Sequence, residues 1–336
     1  MEKRDMNTKK FLRGAGLALV LLLAFGVKNA AWGQQDAQFS QYIFNQIYIN
    51  PAYAGYREET NVHAFFRSQW TGVPGAPQTV SLAFDGALTH KPVGLALQVS
   101  EDKLGAQNRR SAYGNYSYTI KTGYTSKLAF GLGVGFVQLA LDGDKLEPYD
   151  QGDQYIPPGM QSTIVFDSRA GLFFSDEYFY AGFSVDNLLA THMDGHKDKT
   201  LITPTPRPHY YLTAGALFPV SNSLAFRPSF LLKDDRGGPT SLDMNVFALL
   251  NDRFWVGASF RTAVVLYNKD YLEYDPRKTS AVIGMAELFI TDQIRIGYAY
   301  DYSLNALRNY NYGTHEVSVN YYIDKKRSAT ERCSKF

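Results

Sequence analysis

From about residue 60 onward, apolar and polar residues alternate along the chain in ladders that are separated by polar breaks. The clearest ladder is 127–137, where large apolar residues alternate with small ones: Leu128, Phe130, Leu132, Val134 and Phe136 against Ala129, Gly131, Gly133 and Gly135. A period of two predicts strands with one apolar face. The pattern predicts about fourteen of them, near 60–70, 78–88, 93–101, 110–121, 127–140, 161–174, 178–186, 209–219, 223–233, 240–250, 253–265, 279–290, 293–302 and 313–323.

The breaks between the ladders alternate as well, one short and the next long. Brief turns such as Asn251-Asp252 follow the even-numbered strands, whereas the odd-numbered ones are followed by 71–77, 102–109, 141–160, 187–208, 234–239, 266–278 and 303–312. Outer-membrane barrels have short periplasmic turns, long outer loops and an even strand number. We therefore predict an all-β fold, a transmembrane antiparallel β-barrel over 59–324, with both termini in the periplasm.

Charged residues recur in mid-strand, on the face opposite the apolar one: Arg67, Asp85, Arg169, Arg227, Asp243, Arg261, Glu287 and Arg295. A soluble β-sandwich also buries one face of each strand, but a closed barrel can hold charges in a polar lumen while its apolar face meets lipid. These lumen-facing charges either line a solute path or pair with each other and with a plug. We favour pairing, because a candidate plug precedes the barrel.

That candidate is the segment 34–58, which is too polar for lipid and too aromatic for a disordered tail. It offers Gln38, Phe39, Gln41, Tyr42, Asn45, Asn50, Pro51 and Tyr53. Asn-Pro favours a turn. We expect the segment to plug the lumen or to pack at its periplasmic mouth; the alternative is a simple lead-in to the first strand.

The N-terminus predicts export. Basic residues precede an apolar run from Ala15 to Val27 and small residues near Gly33, which is typical of a signal peptide over 1–33; an uncleaved anchor helix is the alternative. This region holds six of the 34 basic and two of the 32 acidic residues, so the remainder has 28 against 30 and no basic surface for nucleic acid. The abundant aromatic residues, 15 % of the chain, suit the two interfacial girdles of a barrel.

Motifs for catalysis and metal binding are weak. Histidines scatter over different strands, no Ser-His pair stands out, and we expect no catalytic residue, cofactor or metal. Two polar clusters remain as candidate ion sites, His192, Asp194, His196 and Asp198 for zinc and Asp142, Asp144, Asp150 and Asp153 for calcium, but a solvated loop explains both. The single cysteine, Cys333 in the basic tail 325–336, excludes an intrachain disulfide and a Cys-based zinc cluster.

Six blocks in order resemble the PorP/SprF family of Bacteroidota outer-membrane proteins: Gln38 to Gly55; Arg67 to Gly72 with Gly75-Ala76-Pro77 and Phe84-Asp85; Leu141 to Leu146; Asp186-Asn187-Leu188; Pro228 to Lys233; and Tyr300 to Leu304 with Gly313 to Glu316. The basic tail has no counterpart. The resemblance implies an outer-membrane component of the type IX secretion and gliding machinery. It further implies, as partners, cargo or the C-terminal domain of adhesins, together with periplasmic or peptidoglycan-associated parts of the machine.

Three functions compete on these grounds. The first is a non-enzymatic barrel that binds cargo, with 38–55 and Trp70 as its interface, since large aromatic residues contribute most of the binding energy in packed interfaces. In the simpler interpretation, both features only close the fold. The second function is a substrate-specific diffusion channel, and the third is a barrel enzyme, which would need a nucleophile and a base that the sequence does not single out.

Overall fold

The computed structural model describes residues 39–146, 156, 158–189, 207–269 and 279–323. Within this part of the chain, strands make up most of the structure. Their bounds are β1 Asn61–Ser68, β2 Gln78–Ala87, β3 Val93–Leu104, β4 Gln107–Lys121, β5 Lys127–Asp142, β6 Met160–Ser175, β7 Phe179–Asp186, β8 His209–Ala216, β9 Phe218–Ser221, β10 Leu224–Asp234, β11 Thr240–Leu250, β12 Phe254–Val264, β13 Thr279–Phe289, β14 Ile294–Ser303 and β15 Thr314–Tyr322.

The strands form one closed antiparallel sheet. Apart from β8 and β9, which do not pair with each other, each strand pairs with its neighbours in sequence. Strand β15 pairs with β1, and β10 pairs with both β8 and β11, so the ladder has no free edge. Strands β8 and β9 both pair with β10 and are two pieces of one strand, which makes fourteen strands around the barrel. The break lies between Gly215, which pairs with Ser229, and Phe218, which pairs with Phe226. It is therefore opposite Arg227 and Pro228, and Pro228 has no N–H to donate to the ladder.

The predicted barrel and its strand number are confirmed, and most strand bounds agree within three residues. The predicted open connection over 102–109 is wrong, because β3 and β4 pair as far as Leu104 with Gln107 and leave only Gly105-Ala106 as a turn. Polar residues made this stretch resemble a loop. Their charges pair across the hairpin instead, where Arg110 Nε donates to Glu101 Oε1 at 2.8 Å.

Large apolar side chains point outward and small or polar ones point inward. Leu132 and Val134 on β5 are 65 % and 67 % exposed, whereas Ala129 on the same strand is buried. An outward apolar face is what a lipid environment requires of a barrel. Among the described residues, no helix has the length and apolar character needed to cross a bilayer.

All the connections that follow even-numbered positions around the barrel, among them 88–92, 122–126 and 176–178, lie at one end, which we call the short-connection end. The other end, the long-connection end, carries the described parts of the remaining connections, among them 69–77, 235–239 and 304–313, together with the 105–106 turn. Two further 3-10 turns, Gly143–Lys145 and Ala306–Asn309, belong to these long connections.

Residues 39–56, which we call the lumen segment, form no strand. They fold into three 3-10 turns at a spacing of five residues, Gln41–Ile43, Gln46–Tyr48 and Pro51–Tyr53. A turn-forming residue precedes each one, and the side-chain oxygens of Asn45 and Asn50 accept from the backbone N–H two residues further on. Asn is favoured at this position because its side chain replaces a missing backbone partner.

Candidate functional site

The lumen segment fills the interior of the barrel. Every residue from Ser40 to Ala54 is buried. Its first residues contact Asp301 and Glu316, which flank the 304–313 connection, and its last residues contact Asp85 and Gly94, which flank 88–92. The segment therefore runs through the lumen from the long-connection end to the short-connection end, and joins β1 there.

A network of buried charges holds the first turn of the lumen segment. The carboxylate of Glu316 accepts from Ser40 N at 3.0 Å and from Gln41 N at 2.8 Å. Arg67 joins the same carboxylate to Asp301 through contacts of 2.8 Å and 2.7 Å. Ser40 Oγ also donates to Asp301. The two carboxylates that bind Arg67 therefore also accept three hydrogen bonds from the segment, one from a hydroxyl and two from backbone N–H groups.

Arg261 extends this network along the wall. Its guanidinium binds both oxygens of Asp243 at 2.8 Å and lies 3.4 Å from Asp301. All of these side chains are buried. A buried charge is tolerated when it is paired and its hydrogen bonds are satisfied, and this two-sided contact meets that condition.

Further along the segment, wall side chains bind its backbone carbonyl oxygens. Arg295 Nη2 donates to Phe44 O at 3.3 Å, and Arg169 Nη2 donates to Tyr48 O at 3.1 Å. Ser184 Oγ donates to Ile49 O, and Ser117 Oγ donates to Ala54 O at 2.6 Å. Buried backbone groups need such partners, and here the barrel supplies them.

At the short-connection end, Asp85 completes these contacts by accepting from Gly55 N at 2.7 Å. Arg227 makes two kinds of contact, one to the segment and one to the wall. Its Nη2 is 3.4 Å from Ile43 O, and its guanidinium stacks 4.4 Å from the centre of the Trp255 ring. A cation over an aromatic face is stabilised by the ring quadrupole, so Arg227 has a partner although no carboxylate contacts it at hydrogen-bond distance in the described structure.

Glycines on the inner face let the segment approach the wall. A Cβ atom at Gly131 would lie 2.1 Å from Ala52 N, one at Gly94 2.0 Å from Ala54 O, one at Gly171 2.1 Å from Asn50 Oδ1, and one at Gly297 2.2 Å from Gln41 Oε1. Real Cβ atoms essentially never make contacts that short. The small inward residues of the 127–137 ladder thus have a cause, because a side chain at Gly131 would occupy the space of the segment.

Aromatic contacts complete the packing. Phe39 and Tyr48 pack against Phe65 of β1, with ring centres 4.6 Å and 4.9 Å apart. Phe44 packs against Phe247, and Tyr53 packs against Phe173, at 5.2 Å and 5.4 Å. Edge-to-face pairs of this kind add to the stabilisation from buried area.

The structure brings most of the predicted site residues together. Seven predicted residues of the segment lie in the lumen: Phe39, Gln41, Tyr42, Asn45, Asn50, Pro51 and Tyr53. The predicted lumen-facing charges Arg67, Asp85, Arg169, Arg227, Glu287 and Arg295 are all buried around it. Gln38 lies outside the described residues. The described chain enters the lumen at the long-connection end, whereas the last strand ends at the short-connection end, so these two described ends lie on opposite sides of the barrel; the periplasmic position of both termini stays a prediction.

Trp70 is the exception. It lies in the 69–77 connection at the long-connection end, where its backbone N–H donates to Thr314 Oγ1 at 3.1 Å. Nearby, Thr71 N donates to Gly313 O at 2.9 Å and Tyr312 N donates to Thr71 O at 2.8 Å. Trp70 therefore belongs to the rim of the barrel and is separate from the buried cluster.

Sequence reasoning missed several residues that hold the segment, above all Asp301, Glu316, Ser117 and Ser184. The alternation in 293–302 and 313–323 places Asp301 and Glu316 on the inner face. Nothing in the sequence, however, indicates that they bind the start of the segment, because that contact joins residues more than 250 positions apart.

The described residues include no group of three or more His, Cys, Asp or Glu that could hold a metal. The predicted alternatives at 192–198, and Asp150 and Asp153, lie outside those residues. One small cavity of about 20 Å³ remains beside the segment, between Tyr42, Lys233 and Asp243. That volume holds about one water molecule.

Comparison with known proteins places this geometry in context. Solved structures similar to the chain include a FadL homologue of Pseudomonas aeruginosa (12 % identity over 87 % of this chain and 96 % of that one, TM-score 0.40) and the Ralstonia pickettii toluene transporter TbuX (10 %, 87 % and 96 %, 0.46). The outer membrane protein Omp33 of Acinetobacter baumannii is a third (12 %, 78 % and 97 %, 0.39). No curated protein matches the chain.

A family model gives a more specific result. The model of the type IX secretion system membrane protein PorP/SprF matches residues 31–321, which include the whole lumen segment and all but the end of the last strand. The match covers most of the chain and confirms the resemblance of the six sequence blocks. The chain belongs to the PorP/SprF family and is an outer-membrane β-barrel of the type IX secretion system.

Proposed function

We propose that this barrel is a non-enzymatic part of the type IX machinery that supports secretion or surface anchoring of cargo proteins, such as adhesins, by binding their C-terminal domain. The observation that carries the proposal is the filled lumen. Segment residues are buried throughout and the wall charges around them are paired, so the described barrel offers surfaces to a protein and no path to a solute. No observation among the described residues favours a diffusion channel.

The rim at the long-connection end is the proposed cargo contact. Trp70 lies there beside the 304–313 connection, in which Tyr310 and Tyr312 are 75 % and 79 % exposed. Trp70 itself is half-buried. Trp and Tyr side chains that reach the surface provide large contact areas at low cost in side-chain entropy. With this rim at the cell surface, the short connections face the periplasm, where we propose contacts with periplasmic or peptidoglycan-associated parts of the machine.

The test replaces the native gene by variants. A deletion strain receives the wild type, a rim variant with Trp70→Ala, Tyr310→Ala and Tyr312→Ala, or the control Tyr124→Ala, which removes a fully exposed tyrosine at the short-connection end. Secreted and surface-displayed cargo are quantified, and cargo is co-purified with each tagged barrel. We expect the deletion to abolish display and the rim variant to lose co-purification while the control keeps it. Normal secretion and display in the deletion strain would refute the proposed function.

A further inference from the structure

The lumen segment carries no charge, although the wall around it is rich in charges. Residues 39–56 include no Asp, Glu, Lys or Arg. The tyrosines of the segment add no charge at neutral pH, because a phenol titrates only near about pH 10. The segment therefore offers the wall only dipoles and aromatic surface.

The wall neutralises its own charges without help from the segment. Arg169 lies 3.1 Å from Asp186, and Arg295 lies 3.1 Å from Glu287. Arg67 and Arg261 have the wall carboxylates described above, and Arg227 has the Trp255 ring. Removing the segment would cost hydrogen bonds and packing, but it would leave each of these cations with its partner on the wall. A site whose charges are balanced in advance is preorganised for a neutral ligand.

About half of the polar contacts between wall and segment reach its main chain, and the others reach the side chains of Ser40, Gln41, Tyr42, Tyr48 and Asn50. Glu316 and Asp85 accept backbone N–H groups, and Arg169, Arg295 and Ser184 donate to backbone carbonyl oxygens. The main-chain contacts recognise the path of a peptide, whereas the side-chain contacts recognise where its Gln, Asn and Tyr residues lie. A peptide of the same composition in another order therefore makes only the first kind of contact. The inner-face glycines contribute to the first kind, because they admit the backbone itself at close range.

The wall also holds polar groups that the segment does not use. Both polar atoms of the Asn115 side chain and both of Asn320 lack a hydrogen-bond partner, although these residues are only 3 % and 2 % exposed and face the lumen. Buried amides are normally bonded. These two are spare donors and acceptors for water or for a peptide that follows a somewhat different path.

We propose that the lumen is a peptide-binding site. Its resident ligand is the lumen segment, and it can exchange this segment for an uncharged peptide of the same chemistry, rich in Asn, Gln and aromatic residues, that belongs to a second protein. The inference goes beyond the proposed function, because it concerns the lumen and makes no use of the rim. The exposed rim remains available to cargo whether or not the segment exchanges.

The experiment uses the full chain in lipid nanodiscs, with Cys333→Ser as background and Gln46→Cys as reporter. Gln46 is buried in the seated segment and its Oε1 accepts no hydrogen bond, so the substitution takes no acceptor away from a donor on the wall. A thiol reagent is added with and without an excess of a synthetic peptide of residues 39–56. The controls are a scrambled peptide of the same composition and a Tyr124→Cys reporter at the exposed turn.

Exchange predicts that the peptide accelerates labelling of the Gln46→Cys reporter at least about tenfold in a saturable way, whereas the scrambled peptide does not. Labelling at position 124 should be fast with or without peptide. An unchanged slow rate at position 46, at peptide concentrations up to the solubility limit, would overturn the inference and leave the segment as a permanent core. Fast labelling at position 46 without peptide would overturn it as well, because the site would then have no resident ligand.

Discussion

Replacing Gly131 by alanine tests how closely the lumen segment packs against the wall. The added Cβ would lie 2.1 Å from Ala52 N and 2.4 Å from Pro51 C, whereas ordinary van der Waals contact begins near 3.4 Å. The backbone of the segment must therefore move by about 1.3 Å. Overpacking of this kind costs about 1–3 kcal/mol, and since 1.4 kcal/mol is tenfold in an equilibrium constant, the unseated form should gain a factor of about 5–150.

Gly114→Ala is the matched control. Gly114 lies on β4 with its missing side chain directed outward, and the nearest atom to an added Cβ is Val134 O at 4.0 Å. Both substitutions replace a glycine in a strand by alanine, and this change by itself stabilises the folded protein by about 0.5–1 kcal/mol. The difference between the two variants thus isolates the contact with the segment.

The assay is the thiol labelling rate of the Gln46→Cys reporter in each background, together with the temperature at which the folded barrel loses its fast migration on a denaturing gel. We expect Gly131→Ala to speed labelling by the factor above and Gly114→Ala to leave it unchanged or slower. Equal labelling rates in the two variants, both folded, would refute the close contact between Gly131 and Ala52.

Three further predictions concern the charges and the closed lumen. Arg67→Leu removes the cation that pairs with the buried carboxylates of Asp301 and Glu316. It should lower the free energy of unfolding by about 3–5 kcal/mol, measured by thermal unfolding. Trp255→Leu removes the ring that faces Arg227, and should cost up to about 2 kcal/mol beyond the loss of packing; the difference from a Trp255→Phe variant measures that part. In planar bilayers the full chain should give no stable current, whereas deletion of 39–56 should open one; a steady current through the intact protein would contradict the filled lumen.

The barrel follows from the sequence because a strand in lipid has a strict code. Leu132 and Val134 are apolar because they face lipid, and Gly131 and Gly133 are small because they face the filled lumen. One ladder therefore predicts both the strand and which of its faces points outward. The hairpin at Gly105 does not follow in the same way. Glu101 and Arg110 form an ion pair across its two strands, but in the sequence the polar residues of this stretch resemble a loop.

The site is only partly predictable for a different reason. The inner position of Arg67 or Arg295 follows from alternation alone, but their partners depend on how the sheet closes and where the segment enters. Arg295 binds Phe44 O across about 250 residues of chain. No local pattern encodes such a contact. The aromatic and polar composition of the segment indicates that it fills the lumen, whereas its five-residue turn repeat is visible only in the structure.

The repeat raises the question of what holds the segment in register. Asn45 and Asn50 begin equivalent turns, so a shift by five residues would preserve both side-chain caps and exchange Ala52 for Ile47 beside Gly131. The bulk of Ile47 does not fit where a single Cβ on the wall already clashes, and the hydroxyl groups of Tyr48 and Tyr42 would leave His63 and Asn245. Arg169 would find another carbonyl oxygen in place of Tyr48 O, because every residue has one, so the buried arginines fix the path of the backbone and leave its register open. The glycines and the side-chain hydrogen bonds then specify one position of a segment whose own turn repeat allows several.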